Sequence, residues 1–316
     1  MRIGRSGLRG RARRLSTRRA GLVLVYHRIG DPAGEPRFEL VPAVSTRLFE
    51  AHVDHLRSHY RVVAPSRLLE AALSRRSGYR FPIALTFDDD LASHLEVVAP
   101  ALLRRALPAA FFLNGASLER AHSFWWEDLQ TAVDRRPELP RRLHSLPELD
   151  LAAAVQRTPG AIHCVAERIE RLPPERRDAV SAELREIAGR PRGGLSADAI
   201  QTLAAEGFEI GFHTRRHYLL STLEHDELGV ALQDGRQRLE SVVGRKLKMI
   251  AYPHGKADSR IAGAARAAGY QRGFTGSPVP AGPMTDALMI GRIEPPFGSM
   301  SEFGRAIATT LAIDSR

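Results

Sequence analysis

Short apolar runs recur along this chain, each followed by a longer stretch with helical spacing, and that alternation constrains the fold more than any other feature. It is the rhythm of βα units built on a parallel sheet. Strands are expected over 21–26, 61–63, 81–87, 109–113, 208–212, 247–252, 270–275 and 288–293. Helices are expected over 46–59, 66–74, 92–106, 196–206, 224–243, 259–268 and 301–312, with Ser196 as an N-cap and Pro108 ending the third. Residues 121–194 break the rhythm: they are rich in Leu, Arg, Glu and Pro, hold both tryptophans, and read as a helical insertion on one loop.

The formal charge of +10 suggests a polyanion partner until it is located. Residues 1–19 contain eight arginines and no acid, which leaves only +2 on everything else. The basicity therefore belongs to a flexible tail over 1–19, with the folded unit over 20–316. Peripheral contact with an anionic membrane suits such a tail, at about 1 kcal/mol per well-placed arginine. Nucleic acid is a poor candidate, because no recognisable binding module follows. The apolar run at 20–26 is short and lacks a small-residue cleavage pattern, so the expected location is the cytoplasm or its membrane surface. The single cysteine, Cys164, excludes an internal disulfide and a thiolate cluster, and is read as a buried small hydrophobe in a helical stretch. Any metal must then rest on His and carboxylate ligands.

Three polar clusters begin where apolar strands end, and in a parallel α/β barrel those ends meet on one face. The first is Thr86-Phe87-Asp88-Asp89-Asp90. Adjacent carboxylates after a buried strand repel unless a cation or a proton neutralises them, although an acidic turn with Asp90 as a helix cap is the plainer alternative. The second cluster, His213-Thr214-Arg215-Arg216-His217, spaces two histidines to face one way on a helical turn. His55 and His59 share that spacing but lie in mid-helix, and are read as solvated surface. The third cluster is Tyr252-Pro253-His254-Gly255, a turn able to present backbone N–H groups.

In this order and context the clusters resemble the polysaccharide deacetylase, or NodB-homology, family. Its Thr-Phe-Asp-Asp, His-Ser/Thr-x-x-His and Pro-turn motifs are matched by Thr86 to Asp89, His213 to His217 and Tyr252 to Gly255. The resemblance runs from about Gly21 to Phe303, with outer matches at Tyr26-His27-Arg28-Ile29, Phe124-Trp125-Trp126-Glu127 and Gly291-Arg292-Ile293. Trp125 and Trp126 are read as core of the insertion rather than as a sugar platform.

The resemblance implies a distorted (β/α) barrel of the polysaccharide deacetylase type, and a metal-dependent hydrolase that removes acetyl groups from N-acetylated sugars of a poly-, oligo- or lipid-linked saccharide. Asp89, His213 and His217 would hold one divalent metal, with zinc expected, and Asp88 would be the general base. The backbone N–H of His254, after Pro253, would face the oxyanion. The Leu-x-x-His motif that supplies a general acid in many members is lacking here, and His27, after the first strand, is the proposed substitute. Ala251 and Tyr252 stand where members carry an arginine before the motif proline, and Arg292 is the candidate to orient Asp88 instead. Asp90 replaces the usual glycine and is expected to take up its left-handed turn, adding a third carboxylate near the metal. A catalytically inactive sugar-binding member of the same fold is the alternative reading.

Overall fold

The computed structural model describes residues 16–31, 35, 38–118, 123–134, 143–189 and 194–313. Its strands are β1 (Leu22–Tyr26), β2 (Arg61–Val62), β3 (Pro82–Asp88), β4 (Ala110–Leu113), β5 (Glu209–Phe212), β6 (Met249–Ala251), β7 (Arg272–Phe274) and β8 (Arg292–Ile293). They pair in parallel in the order β7-β6-β5-β4-β3-β1-β8, and β2 lies beside the start of β3. A parallel bridge from Phe274 to Ile290 joins the two ends, so the sheet is a nearly closed barrel. Every residue of β1 and β3 is buried, which is why both read as continuous apolar runs rather than alternating ones.

Helices cover the outside. The first three are α1 (Thr46–His59), α2 (Leu68–Leu73) and α3 (Ala99–Leu103), the last entered through a π-helical turn at His94–Val98. Ser45 caps α1 by accepting from the amide of Leu48. Beyond 121–194 come α8 (Ala197–Ala205), α9 (His225–Ala231), α10 (Arg236–Val243), α11 (Ser259–Ala267) and α12 (Met300–Thr310). Ser196 caps α8 as expected, accepting from the amide of Ala199. The single helix expected over 224–243 is instead two. Gly235 separates them at φ 78°, a conformation that strains other residues, and an added Cβ there would press on the Arg215 side chain.

Between α3 and α8 lie α4 (Trp125–Asp134), α5 (Ala152–Val155), α6 (Ala161–Glu170) and α7 (Pro174–Ala188). They gather around an apolar core of their own that includes Trp125, Trp126, Leu129, Ile169 and Leu184. On α6 the buried residues are Ile162, Val165, Ala166 and Ile169, a helical stripe that leaves Cys164 on the opposite side. Cys164 is therefore exposed, against the expectation of a buried hydrophobe. Residues 121–122, 135–142 and 190–193 of the expected insertion lie outside the described residues, as do 1–15 of the expected tail. The end of that tail is held: Arg75 Nη1 donates to the carbonyls of Ser16 and Arg18 at 2.9 and 2.6 Å. Among the described residues, no helix is long and apolar enough to cross a membrane.

Gly211, in β5, packs its Cα against the buried Phe112 ring, and a Cβ there would overlap that ring. Phe112 in turn lies 5.1 Å from the Phe274 ring and has little freedom to retreat. Gly211→Ala is expected to cost about 1–3 kcal/mol through overpacking, measured by denaturant unfolding. Destabilisation within ~0.5 kcal/mol of zero would show that Phe112 is mobile.

Candidate active site

The strand ends deliver the predicted side chains to one face of the barrel. Asp88 is the last residue of β3, His213 follows β5, Pro253 follows β6 by two residues, His27 follows β1, and Arg292 opens β8. After Asp88 the chain turns sharply, with Asp89 at φ 74° and its amide donating to the carbonyl of Phe112. The left-handed residue is thus Asp89, not Asp90 as expected. Asp is among the residues that tolerate this conformation, and taking it swings the Asp89 carboxylate over the barrel mouth.

Asp89 Oδ1 stands 3.8 Å from His213 Nε2 and 3.9 Å from His217 Nε2, and the two Nε2 atoms are 3.2 Å apart. One ligand atom from each of the three residues lies within 4.8 Å of the others. The histidines do not share a helical turn as their spacing suggested. Thr214 and His217 have φ of 55° and 48°, and a tight loop folds the second ring back onto the first.

The donor set fits a divalent cation. His213 Nδ1 donates to the carbonyl of Ala251 at 2.8 Å, which leaves the Nε2 lone pair facing Asp89 and His217. Burial holds His213 at a pKa of about 4, against the opposing pull of Asp88, and pushes His217 well below its usual value with help from His254 and His213. Both rings are therefore neutral, as ligands must be. Asp89 Oδ1 is buried without a hydrogen-bond partner. Its pKa is raised by burial first, then by Asp88, Glu127 and Asp90, and a cation held by these ligands would oppose that rise.

Asp88 occupies the opposite electrostatic position. Burial would raise its pKa, but Arg292, His213 and His27 hold it down to about 2. Arg292 grips both carboxylate oxygens at 2.8 Å, donates through Nε to the Thr275 carbonyl at 3.1 Å, and is buried. His27 Nε2 is 4.0 Å from Asp88 Oδ2, with 28% of its side chain exposed.

Asp90 is buried and turned away. Its carboxylate accepts from the amides of Asn114, Gly115 and Ser117 and from the Ser117 hydroxyl. It serves as an anchor between the ends of β3 and β4, neither a third charge facing the histidines nor the exposed cap of the plainer alternative.

Pro253 starts a tight turn in which His254 (φ 58°) and Gly255 (φ 65°) are both left-handed. The turn points the His254 ring at His217, with centroids 4.5 Å apart, and Nδ1 pairs with Glu170 of α6 at 3.0 Å. Trp126 packs 4.5 Å from the His217 ring, so the tryptophans are both core of the α4–α7 layer and wall of the site. These groups line a cavity of about 650 Å³, a size suited to a small ligand.

Three contributors escaped the sequence reading. Asn114 Nδ2 donates to the carbonyls of His213 and Thr214, and its place directly after β4 obeys the same strand-end rule that marked the others. His94 Nε2 bonds the carbonyl of Asp88 at 2.8 Å. Glu170 carries no sequence signal, because only the docking of α6 brings it to the barrel.

A sequence profile described as Polysaccharide deacetylase matches residues 76–273, more than half of the chain. No curated protein matches. Among solved structures, the fold is similar to the Streptococcus pyogenes deacetylase PplD in complex with acetate, at 16% identity over 93% of this chain and 99% of that one, with a TM-score of 0.61. IcaB from Ammonifex degensii aligns at 19% identity over 93% of this chain and 97% of that one, with a TM-score of 0.58. A de-N-acetylase from Aggregatibacter actinomycetemcomitans aligns at 16% identity over 91% and 99%, with a TM-score of 0.57. At these identities the structural likeness speaks for the fold, and it is the profile, spanning the strand ends from Asp88 to His254, that makes this chain a member of the polysaccharide deacetylase family.

Proposed function

We propose that the chain is a metal-dependent hydrolase that removes acetyl groups from N-acetylated sugars of a poly-, oligo- or lipid-linked saccharide. The observation that carries this reading is the buried Asp89, His213 and His217 group beside a carboxylate, Asp88, clamped in one orientation by Arg292. Asp89, His213 and His217 would hold a divalent ion, zinc on this N/O donor set, which would supply Lewis acidity toward the acetyl carbonyl and a bound water.

The chain's own groups supply the rest. Asp88 is ionised at neutral pH and takes the proton of the attacking water. Arg292 holds its two oxygens fixed, and the same grip weakens Asp88 as a base, so the site trades basicity for orientation. The turn begun by Pro253 offers the backbone N–H of His254 to the oxyanion. His27, half-exposed and 4.0 Å from Asp88, donates a proton to the departing amine. The inactive, sugar-binding alternative rests on Asp90, on His254 and on the missing Leu-x-x-His motif; the amide and hydroxyl partners of Asp90 weaken the first of these grounds. PplD was solved with acetate, the acid that N-deacetylation releases.

Purified protein is expected to carry one divalent ion and to release acetate from N-acetylglucosamine oligomers, with activity lost to a chelator and restored by zinc. Asp88→Asn should keep the ion by elemental analysis and lower turnover on the order of 10²–10⁴-fold. His213→Ala should lose the ion. Full activity after the ion is stripped would sink the mechanism.

Removing Arg292 leaves the buried Asp88 carboxylate unpaired. Arg292→Ala is expected to cost about 3–5 kcal/mol in denaturant unfolding, with much of the loss recovered in the Asp88→Ala/Arg292→Ala double variant. Equal destabilisation of the single and double variants would show that the charge pair is not the cause.

A further inference from the structure

The end of the barrel opposite the catalytic pocket carries a groove of about 540 Å³ between α2 and the approach to β3. Four arginines line it, Arg61, Arg75, Arg76 and Arg80, and no carboxylate does. Arg75 is buried and committed to the carbonyls of Ser16 and Arg18, and Arg80 donates to the carbonyl of Arg57. Arg61 and Arg76 are exposed, and their side chains make no hydrogen bond or ion pair among the described residues. Tyr79 in the groove is 67% exposed, and Leu73, next to Ser74 of the groove wall, is 43% exposed.

Residues 16–18, the described end of the arginine-rich stretch, lie at this same end. Ser16 and Arg18 are held by Arg75, Arg18 reaches the carbonyl of Leu311 just past α12, and residues 1–15 carry six further arginines. The described end of the arginine-rich stretch and the cationic groove therefore meet at one pole of the molecule. Guanidinium groups pair bidentately with phosphate, and an exposed Tyr and Leu among them suit the boundary between lipid headgroups and acyl chains.

We propose that this pole is a docking surface for an anionic phospholipid bilayer, with Arg61 and Arg76 taking headgroup phosphates and Tyr79 and Leu73 entering the interface. A nucleic acid would use the arginines but would leave Leu73 without a partner, which is why the bilayer is preferred. The orientation has a consequence for substrate. β3 runs from this pole at Pro82 to the catalytic pole at Asp88, a rise of about 20 Å, so a docked molecule faces its pocket away from the bilayer. On the deacetylase reading above, the sugars it reaches belong to a chain extending from the surface and not to the first sugar on a membrane lipid.

The test uses the full chain and two vesicle preparations, phosphatidylcholine alone and phosphatidylcholine with phosphatidylglycerol. Co-sedimentation is expected with the anionic vesicles only, and Arg61→Gln/Arg76→Gln should bind them roughly 30-fold more weakly. The two tryptophans of the chain both line the catalytic pocket, so brominated lipid in the anionic vesicles should leave their fluorescence unquenched. Undiminished binding by the double variant, equal binding to both vesicles, tryptophan quenching, or displacement of vesicles by a duplex DNA oligomer would each overturn the proposal. None of these readouts requires enzyme activity, and acetate release by the double variant from a soluble oligomer should match that of the unmodified chain. A chain that docks but releases no acetate would fail the deacetylase reading alone.

Discussion

The Arg292 to Asp88 pair is the interaction on which the rest of the site depends. Two buried charges cost several kcal/mol each to desolvate, and only near-ideal geometry offsets that cost. Here the guanidinium meets both carboxylate oxygens at 2.8 Å and spends Nε on the carbonyl of Thr275. Those contacts reach from β8 across β1 to the end of β3, and from β8 to the residue after β7. One side chain therefore spans the place where the barrel closes and fixes the carboxylate proposed as base. Because β8 is only two residues long, Arg292 contributes to that closure what backbone pairing alone cannot.

Three consecutive aspartates end in three different environments. Asp88 is held low by Arg292, Asp90 is raised by burial with four N–H and O–H donors opposing the rise, and Asp89 has neither kind of support. The pKa directions separate accordingly for the first pair, with Asp88 held low and Asp89 raised. Such divergence between neighbouring carboxyls is the mark of divided roles. The left-handed turn at Asp89 produces it, since an extended residue there would point its carboxylate elsewhere.

The helical layer of α4–α7 is more than an appendage to the barrel. Glu170 of α6 holds His254, while Asp178 of α7 accepts from the Tyr218 hydroxyl and from Arg216 in the loop carrying His213 and His217. Arg177 lies over the Tyr218 ring at 4.0 Å. Both loops that shape the pocket are thus braced from outside the barrel, which limits their freedom before any ligand arrives. Among the described residues the opposite pole has no such layer, and Arg61 and Arg76 there stay open to solvent.

The sequence by itself determined the strand rhythm, the barrel class and the identity of the residues at the strand ends, because burial period and strand termination are local properties. Asp88, Asp89, His213, His217, Pro253, His254 and His27 were all legible on that rule, Arg292 was legible only through its Gly-Arg-Ile context because it opens β8, and Asn114 would have been legible had the rule been applied to β4. What the sequence could not determine was direction. The left-handed residue proved to be Asp89 and not Asp90, the histidine pair meets through a loop and not a helix, and Cys164 faces solvent. Glu170, His94 and the partners of Asp90 became visible only in three dimensions. Those outcomes depend on hydrogen bonds and packing between segments distant in the chain, and no local pattern of residue types encodes which distant donor will arrive.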